Sequence, residues 1–469
     1  MLGLAPLIFA NHGERKRNCC PCRHEIDKTD LDLNTTRPNK EHLLTLERQM
    51  AVIAKLPDGI SRLKEQVYDM MDDHEEVRGT VTSLQQQVSV SPIETEKLLA
   101  KRDMGQNGGA SPHLLVHLLV LILLVLPCVY SQCNKAPIIF NFGDSNSDTG
   151  GLVAGLGFTI KFPYGRTFFH RSTGRLSDGR LVIDFLCESL NSSYLSPYLD
   201  SLGSNFENGA NFAIVGSSTL PKYLPFSLNI QAMQFLHFKA RSVEVIKQDF
   251  KHLMDDQGFR DALYMFDIGQ NDLSDAFSKN LSYAQVVRRI PLVLAEIRYA
   301  ITTIYAQGGK NFWIHNTGPL GCLPQKLSIA NKNDRLLDQH GCVVPYNDAT
   351  KIFNRGLFAL CEALRSKLKN VNIVYVDIYT IKYDLIANAT KYGLENPLMA
   401  CCGFGGPPYN YNINLKCGQG GNNICRVESR YISWDGVHYT EAANTIIASK
   451  ILSTAYSTPQ LKFNYFCQS

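Results

Sequence analysis

Hydrophobic positions recur in three unlike patterns along this chain of 469 residues, and each predicts a different structure. From Ile53 to Val88 they advance in steps of three and four: Ile53, Leu56, Ile60, Leu63, Val67, Met70, Val77, Val81, Leu84 and Val88, with His74 the one polar residue in the seam. Such spacing builds a helix that pairs with another helix. Pro57-Asp58-Gly59 interrupts its start and Gly79 weakens its middle, so a coiled coil is predicted over about 60–88. The second pattern is an unbroken apolar run, Leu114–Leu126, polar only at His117. It is shorter than the ~20 residues that span a bilayer and suits a secretory h-region of about 7–15. Pro127 closes the run, and Val129 and Ser131 supply small residues for cleavage before Gln132. Met104 stands where an initiator should, although Met104–His113 carries no Lys or Arg. A signal peptide over 104–131 is predicted, with an uncleaved signal anchor as the alternative.

The third pattern fills the remainder. Pro137–Phe142, Leu263–Ile268, Asn311–Asn316 and Asn372–Asp377 are short apolar runs of buried-strand type. Between them lie helix-length stretches such as Tyr283–Gln307 and Asp348–Leu368. Strands alternating with helices imply an α/β fold with a parallel sheet covered on both faces. Ligands of such sheets bind beyond the carboxyl ends of the strands. Asp144 and Ser145 follow the first run and Asn271 and Asp272 follow the second, so these polar residues carry functional weight.

Composition divides the chain at the same place. Residues 1–112 hold 15 Lys/Arg, 17 Asp/Glu and two aromatics, Phe9 and Tyr68; the remaining 44 aromatics lie beyond. Only the second part can build a large aromatic core. Lys plus Arg at 47 nearly balances Asp plus Glu at 43, which argues against a protein that wraps nucleic acid. Cys19-Cys20-Pro21-Cys22 with His24 lacks the second ligand pair that a zinc finger needs. A charged, coiled-coil-like extension ahead of a secretion signal is physically odd, and a fused gene model explains it best.

Among mechanistic motifs, G-x-S-x-G, H-E-x-x-H and G-x-x-x-x-G-K are absent from the sequence. Gly143-Asp144-Ser145 directly follows the first strand, and Trp434-Asp435-Gly436-Val437-His438 precedes a helix near the end. A D-x-x-H step can set a carboxylate beside the imidazole it must orient, which is the base-and-orienter half of a catalytic triad. Each residue also has a plainer reading: Ser145 or Asp435 as a helix cap, Asn271 as a turn residue, His438 as a surface histidine.

Phe142–Gly150 resembles the first block of the plant GDSL esterase/lipase family, within the SGNH hydrolase superfamily. Asn208–Gly216 resembles its second block, Gly269-Gln270-Asn271-Asp272 its third and Asp435-Gly436-Val437-His438 its fifth. Pro163–His170 and Thr173–Arg180 are also similar to the plant branch, above all its early-nodulin-like and α-fucosidase-like members. The resemblance spans about 136–466 and leaves residues 1–103 without a counterpart. It implies a three-layer α/β/α, flavodoxin-like fold over 132–469, and a serine esterase or lipase secreted to the cell wall or apoplast. In the roles it implies, Ser145 is the nucleophile, His438 the base and Asp435 its orienter. The backbone N–H groups of Ser145 and Gly216 and the Asn271 side chain form the oxyanion hole. Gly209 is the rival to Gly216.

The resemblance implies no cofactor and no metal. Its partners would be small-molecule, lipid or acylated-polysaccharide esters, and not nucleic acid. Membrane contact is expected only if 114–126 stays as an anchor, and a coiled-coil partner only if 1–103 is translated. A catalytically silent binder on the same fold, or an acyltransferase using the same residues, are the competing readings. Ten cysteines follow the cleavage point, as suits a secreted chain. Cys322 with Cys342, and Cys402 with Cys417 or Cys425, are candidate staples. Asn191, Asn280 and Asn388 are N-glycosylation acceptors if the chain is exported.

Overall fold

The structure is a computed structural model that describes residues 135–221, 225–248, 253–329 and 336–467. The heptad seam, the Cys19–His24 cluster and the signal segment over 104–131 lie outside the described residues.

In chain order the main elements are β1 (Ile139–Gly143), α1 (Gly151–Leu156), α2 (Val182–Ser189), β2 (Gly209–Asn211), α3 (Leu228–Val245), α4 (Asp256–Asp261) and β3 (Leu263–Asp267). Then come α5 (Gln270–Ser278), α6 (Tyr283–Ala306), β4 (Asn311–His315), α7 (Pro324–Ile329), α8 (Val344–Lys367), β5 (Asn372–Val376) and α9 (Ile378–Ala387). The chain closes with β6 (Glu395–Ala400), β7 (Cys402–Gly403), β8 (Asn423–Ile424), β9 (Tyr431–Ser433), α10 (Glu441–Leu452) and β10 (Ser457–Thr458).

Six strands form one sheet in the order β10-β5-β4-β3-β1-β2. All neighbours are parallel except β10, which joins β5 antiparallel at the edge. Leaving β10 aside, this is the 2-1-3-4-5 order of flavodoxin-like sheets, in which the direction of winding reverses between β1 and β3 and opens a crevice there. Because successive strand side chains point to opposite faces, Phe140 and Phe142 of β1 enter one core with Phe235, Val286 and Phe353 of α3, α6 and α8. Ile139 enters the other with Leu186, Ile381 and Ile447 of α2, α9 and α10. Both faces are thus covered, and the fold has three layers.

The four predicted strands are all present. α8 starts four residues before the predicted Asp348, because Pro345 in its first turn needs no N–H partner there. Among the described residues no helix is long and apolar enough to cross a membrane.

The segment between Cys401 and Cys425 holds only two-residue strands and is held by covalent links instead. Cys401 pairs with Cys425, Cys402 with Cys417, and Cys322 with Cys342. Cys425, one of the two partners expected for Cys402, therefore belongs to its neighbour. Removing a native disulfide commonly costs about 2–5 kcal/mol. Full reduction should therefore lower the melting temperature measured by differential scanning calorimetry. An unchanged melting temperature with all thiols titratable would mean that these links carry no stability.

Candidate active site

Ser145 lies in the turn that leaves β1, at the crevice between β1 and β3. The turn is close-packed: a Cβ on Gly143 would stand 2.6 Å from the Asp267 carbonyl oxygen and 2.7 Å from Ser147 Oγ. Gln231 of α3, fully buried, satisfies both backbone groups of Gly143; it accepts from the N–H at 2.9 Å and donates to the carbonyl at 2.8 Å. Asn141 donates to Ser147 Oγ at 3.0 Å and to Asn211 Oδ1 at 2.8 Å, and Asn211 donates to the Ser147 carbonyl at 2.7 Å. Paired buried amides of this kind allow one geometry and penalise others.

The loop after β2 carries Gly216, whose φ of +80° favours glycine. Two carboxylates fix this loop. Asp148 accepts from the Val215 N–H at 2.8 Å, and Asp272 accepts from the Thr219 N–H and hydroxyl, each at 2.9 Å. Asn271 sits in the first turn of α5. Its amide donates to the Ser217 carbonyl at 2.8 Å and reaches Asp144 Oδ2 at 3.4 Å. It therefore bridges the turn holding Ser145 and the loop holding Gly216. Gly209 is elsewhere, opposite Ile139 at the amino end of β1, where a Cβ would stand 1.8 Å from the Ile139 carbonyl oxygen. Close strand approach accounts for that glycine.

Asp435 and His438 lie between β9 and α10. Asp435 Oδ1 accepts from the backbone N–H groups of Val437 at 3.0 Å and His438 at 2.9 Å. Its Oδ2 meets His438 Nδ1 at 2.7 Å and accepts from the Tyr164 hydroxyl at 3.0 Å. Burial alone would raise the Asp435 carboxyl, but the His438 charge and these N–H donors outweigh it and hold it down to about 2. An ionised carboxylate can only accept, so His438 Nδ1 carries a proton and donates it to Asp435. Thr440, not Asp435, caps α10.

No hydrogen bond joins Ser145 to His438 in this structure. The two halves nevertheless share a field. Burial and the Asp267 charge push the Asp144 carboxyl up to about 7, while Asn146 and the His438 charge pull the other way.

Several residues here carry no signature that sequence reasoning used. Lys382 of α9 is buried with its ammonium 4.1 Å from the Tyr439 ring centre. Burial lowers that ammonium, and the charges of Asp267 and Asp144 raise it back in part. Asp267 faces His315 at 3.7 Å, and the Trp313 indole N–H donates to His315 Nε2 at 3.1 Å. Asp267 and His315 end β3 and β4, so the carboxyl-end rule could have found them. Tyr164 and Gln231 gave no such signal. Arg175 clamps Asp184, Arg180 pairs with Glu441 and Glu188, and Asp178 accepts from the Glu441 N–H; these contacts tie α2 to α10.

Beside His438 lies a cavity of about 230 Å³ lined by Tyr164, Leu176, Gln325, Tyr411 and Leu415. Tyr411 packs on Gly436, where a Cβ would stand 2.4 Å from the ring, and its hydroxyl accepts from Gln325 at 3.0 Å. Asn191, Asn280 and Asn388 are all exposed.

A family model for GDSL-like lipase/acylhydrolase matches residues 139–451. A GDSL esterase/lipase of Arabidopsis thaliana is 64% identical over 352 residues, covering 74% of this chain and 95% of the relative. The Arabidopsis GDSL esterase/lipase LIP-4 is 59% identical, covering 75% of this chain and 94% of its own. The GDSL esterase/lipase ENOD8 of Medicago truncatula is 45% identical, covering 75% and 96%. On these matches, the chain belongs to the plant GDSL esterase/lipase family and is a carboxylic ester hydrolase.

Proposed function

We propose that the chain hydrolyses acyl or acetyl esters through a covalent acyl-enzyme on Ser145. His438 Nε2 takes the serine proton as Oγ attacks the ester carbonyl, then delivers it to the leaving alcohol. Asp435 holds the imidazole tautomer and stabilises the imidazolium. The oxyanion is bound by the N–H groups of Ser145 and Gly216 and by the Asn271 amide. Water, activated by the same histidine, then releases the acid and restores Ser145. The observation that carries this reading is the 2.7 Å contact between Asp435 Oδ2 and His438 Nδ1, which leaves Nε2 as the base.

The cavity beside His438 is smaller than the roughly 300–1,000 Å³ typical of small-molecule sites. It suits short to medium groups better than a long chain. The disulfides and the exposed acceptors Asn191, Asn280 and Asn388 support a secreted, glycosylated protein, since disulfides persist in oxidising compartments. A p-nitrophenyl ester series from acetate to palmitate tests the reading. Turnover should be highest for short and medium chains and vanish in Ser145→Ala. Equal residual turnover in Ser145→Ala and native protein would favour the silent-binder alternative.

A further inference from the structure

The segment Pro163–His170 supplies no member of the triad or the oxyanion hole, yet it carries Tyr164 to the carboxylate behind His438. Asp435 accepts four hydrogen bonds among the described residues. Three come from its own turn: the Val437 and His438 N–H groups on Oδ1, and His438 Nδ1 on Oδ2. The fourth comes from 271 positions away in sequence, the Tyr164 hydroxyl on Oδ2 at 3.0 Å. The donors within the turn move with it, so of the four only Tyr164 ties the carboxylate plane to a distant part of the fold.

Tyr164 is itself firmly held. It is 8% exposed, its ring stands edge-on to Trp434 with 5.9 Å between centroids, and it packs among Cys401, Cys402 and Cys417. The Gly165 N–H donates to the Ser177 carbonyl at 2.9 Å, and Arg166 donates to the Cys425 carbonyl at 2.8 Å. Burial and the Asp435 charge push the Tyr164 phenol well above its usual range, so it keeps its proton and donates it. Tyr164 also lines the cavity beside His438, but that proton is committed to Asp435.

We propose that Tyr164 is a positioning residue for ester hydrolysis, a role that rests on the triad proposed above: its hydroxyl holds the Asp435 carboxylate so that Oδ2 stays aligned with His438 Nδ1 as the imidazolium forms. Tyr164 and His438 share one oxygen, so rotation of the carboxylate would spoil both bonds. The turn itself is anchored by other contacts. The Gly436 carbonyl accepts from the Gln325 N–H at 3.0 Å, and the Gly436 N–H donates to Ser433 Oγ at 3.1 Å. Loss of the hydroxyl should therefore misalign the carboxylate and leave the fold in place.

The test is Tyr164→Phe in the full-length protein, which removes the hydroxyl and keeps the ring on Trp434. It should lower kcat for p-nitrophenyl butyrate about tenfold, change KM by less than about twofold and preserve the melting temperature. The low-field proton resonance of His438 Nδ1–H, which reports its bond to Asp435, should shift. Added to Asp435→Asn, Tyr164→Phe should cost less than about a further twofold, because it acts through the carboxylate. Unchanged kcat in Tyr164→Phe beside a strong loss in Asp435→Asn overturns the positioning role and leaves the triad standing. Full activity in Asp435→Asn removes the triad, and the positioning role with it. An unmoved resonance, independent losses in the double variant, or a lowered melting temperature with raised KM also overturns the role.

Discussion

Ser145→Ala and His438→Ala should each lower kcat for p-nitrophenyl butyrate by about a millionfold, and Asp435→Asn by about ten-thousandfold. In the proposed mechanism the first two remove the nucleophile or its base. The third keeps an imidazole but loses the carboxylate that selects the Nδ1 tautomer. Combining Ser145→Ala with His438→Ala should be no worse than either alone, because the two residues act in one proton transfer. Asp435 is held at about 2, so no limb of the pH–rate profile in the working range is its own titration. Asp435→Asn should lower the plateau of that profile. Full activity in folded Asp435→Asn protein would mean that another group orients His438.

Asn271→Ala should lower kcat by about a hundred- to a thousandfold with little change in KM. A hydrogen bond that strengthens only as the carbonyl oxygen becomes charged acts on the transition state alone. The structure offers a rival role, because the Asn271 amide also donates to the Ser217 carbonyl and so braces the loop that carries Gly216. The two roles separate in the kinetics. A brace would raise KM and lower the melting temperature together, whereas an oxyanion donor changes kcat with the melting temperature preserved.

The parts of this fold that could be read in advance share one property: they announce themselves within a few residues. Ile139–Phe142 and Leu263–Phe266 are dense apolar runs, fully buried on both faces, and the crevice rule then points to Ser145 and Asn271. The D-x-x-H step likewise closes within a single turn. β2 was illegible because Gly209-Ala210-Asn211 has no β-branched or aromatic residue, and it is a strand only because it lies beside β1. β10 pairs through two residues, and the segment around Cys401–Cys425 is shaped by cross-links whose partners spacing cannot determine. Gln231 and Lys382 matter through partners at distant positions in sequence, and nothing around them in the chain marks them out. Strand register, which spacing along the chain does not reveal, puts Gly209 at the opposite end of β1 from Ser145.

The central claim is that Ser145 is a nucleophile activated by His438, and covalent labelling with a fluorophosphonate probes it most directly, since such reagents bond to serine hydroxyls activated by a neighbouring base. The full-length protein would be labelled, digested and mapped by mass spectrometry while residual esterase activity is followed. The account predicts one adduct, on Ser145, that accumulates in step with loss of activity and fails to form in His438→Ala. An inactivating adduct on any other residue, or complete labelling of Ser145 with activity retained, would contradict it.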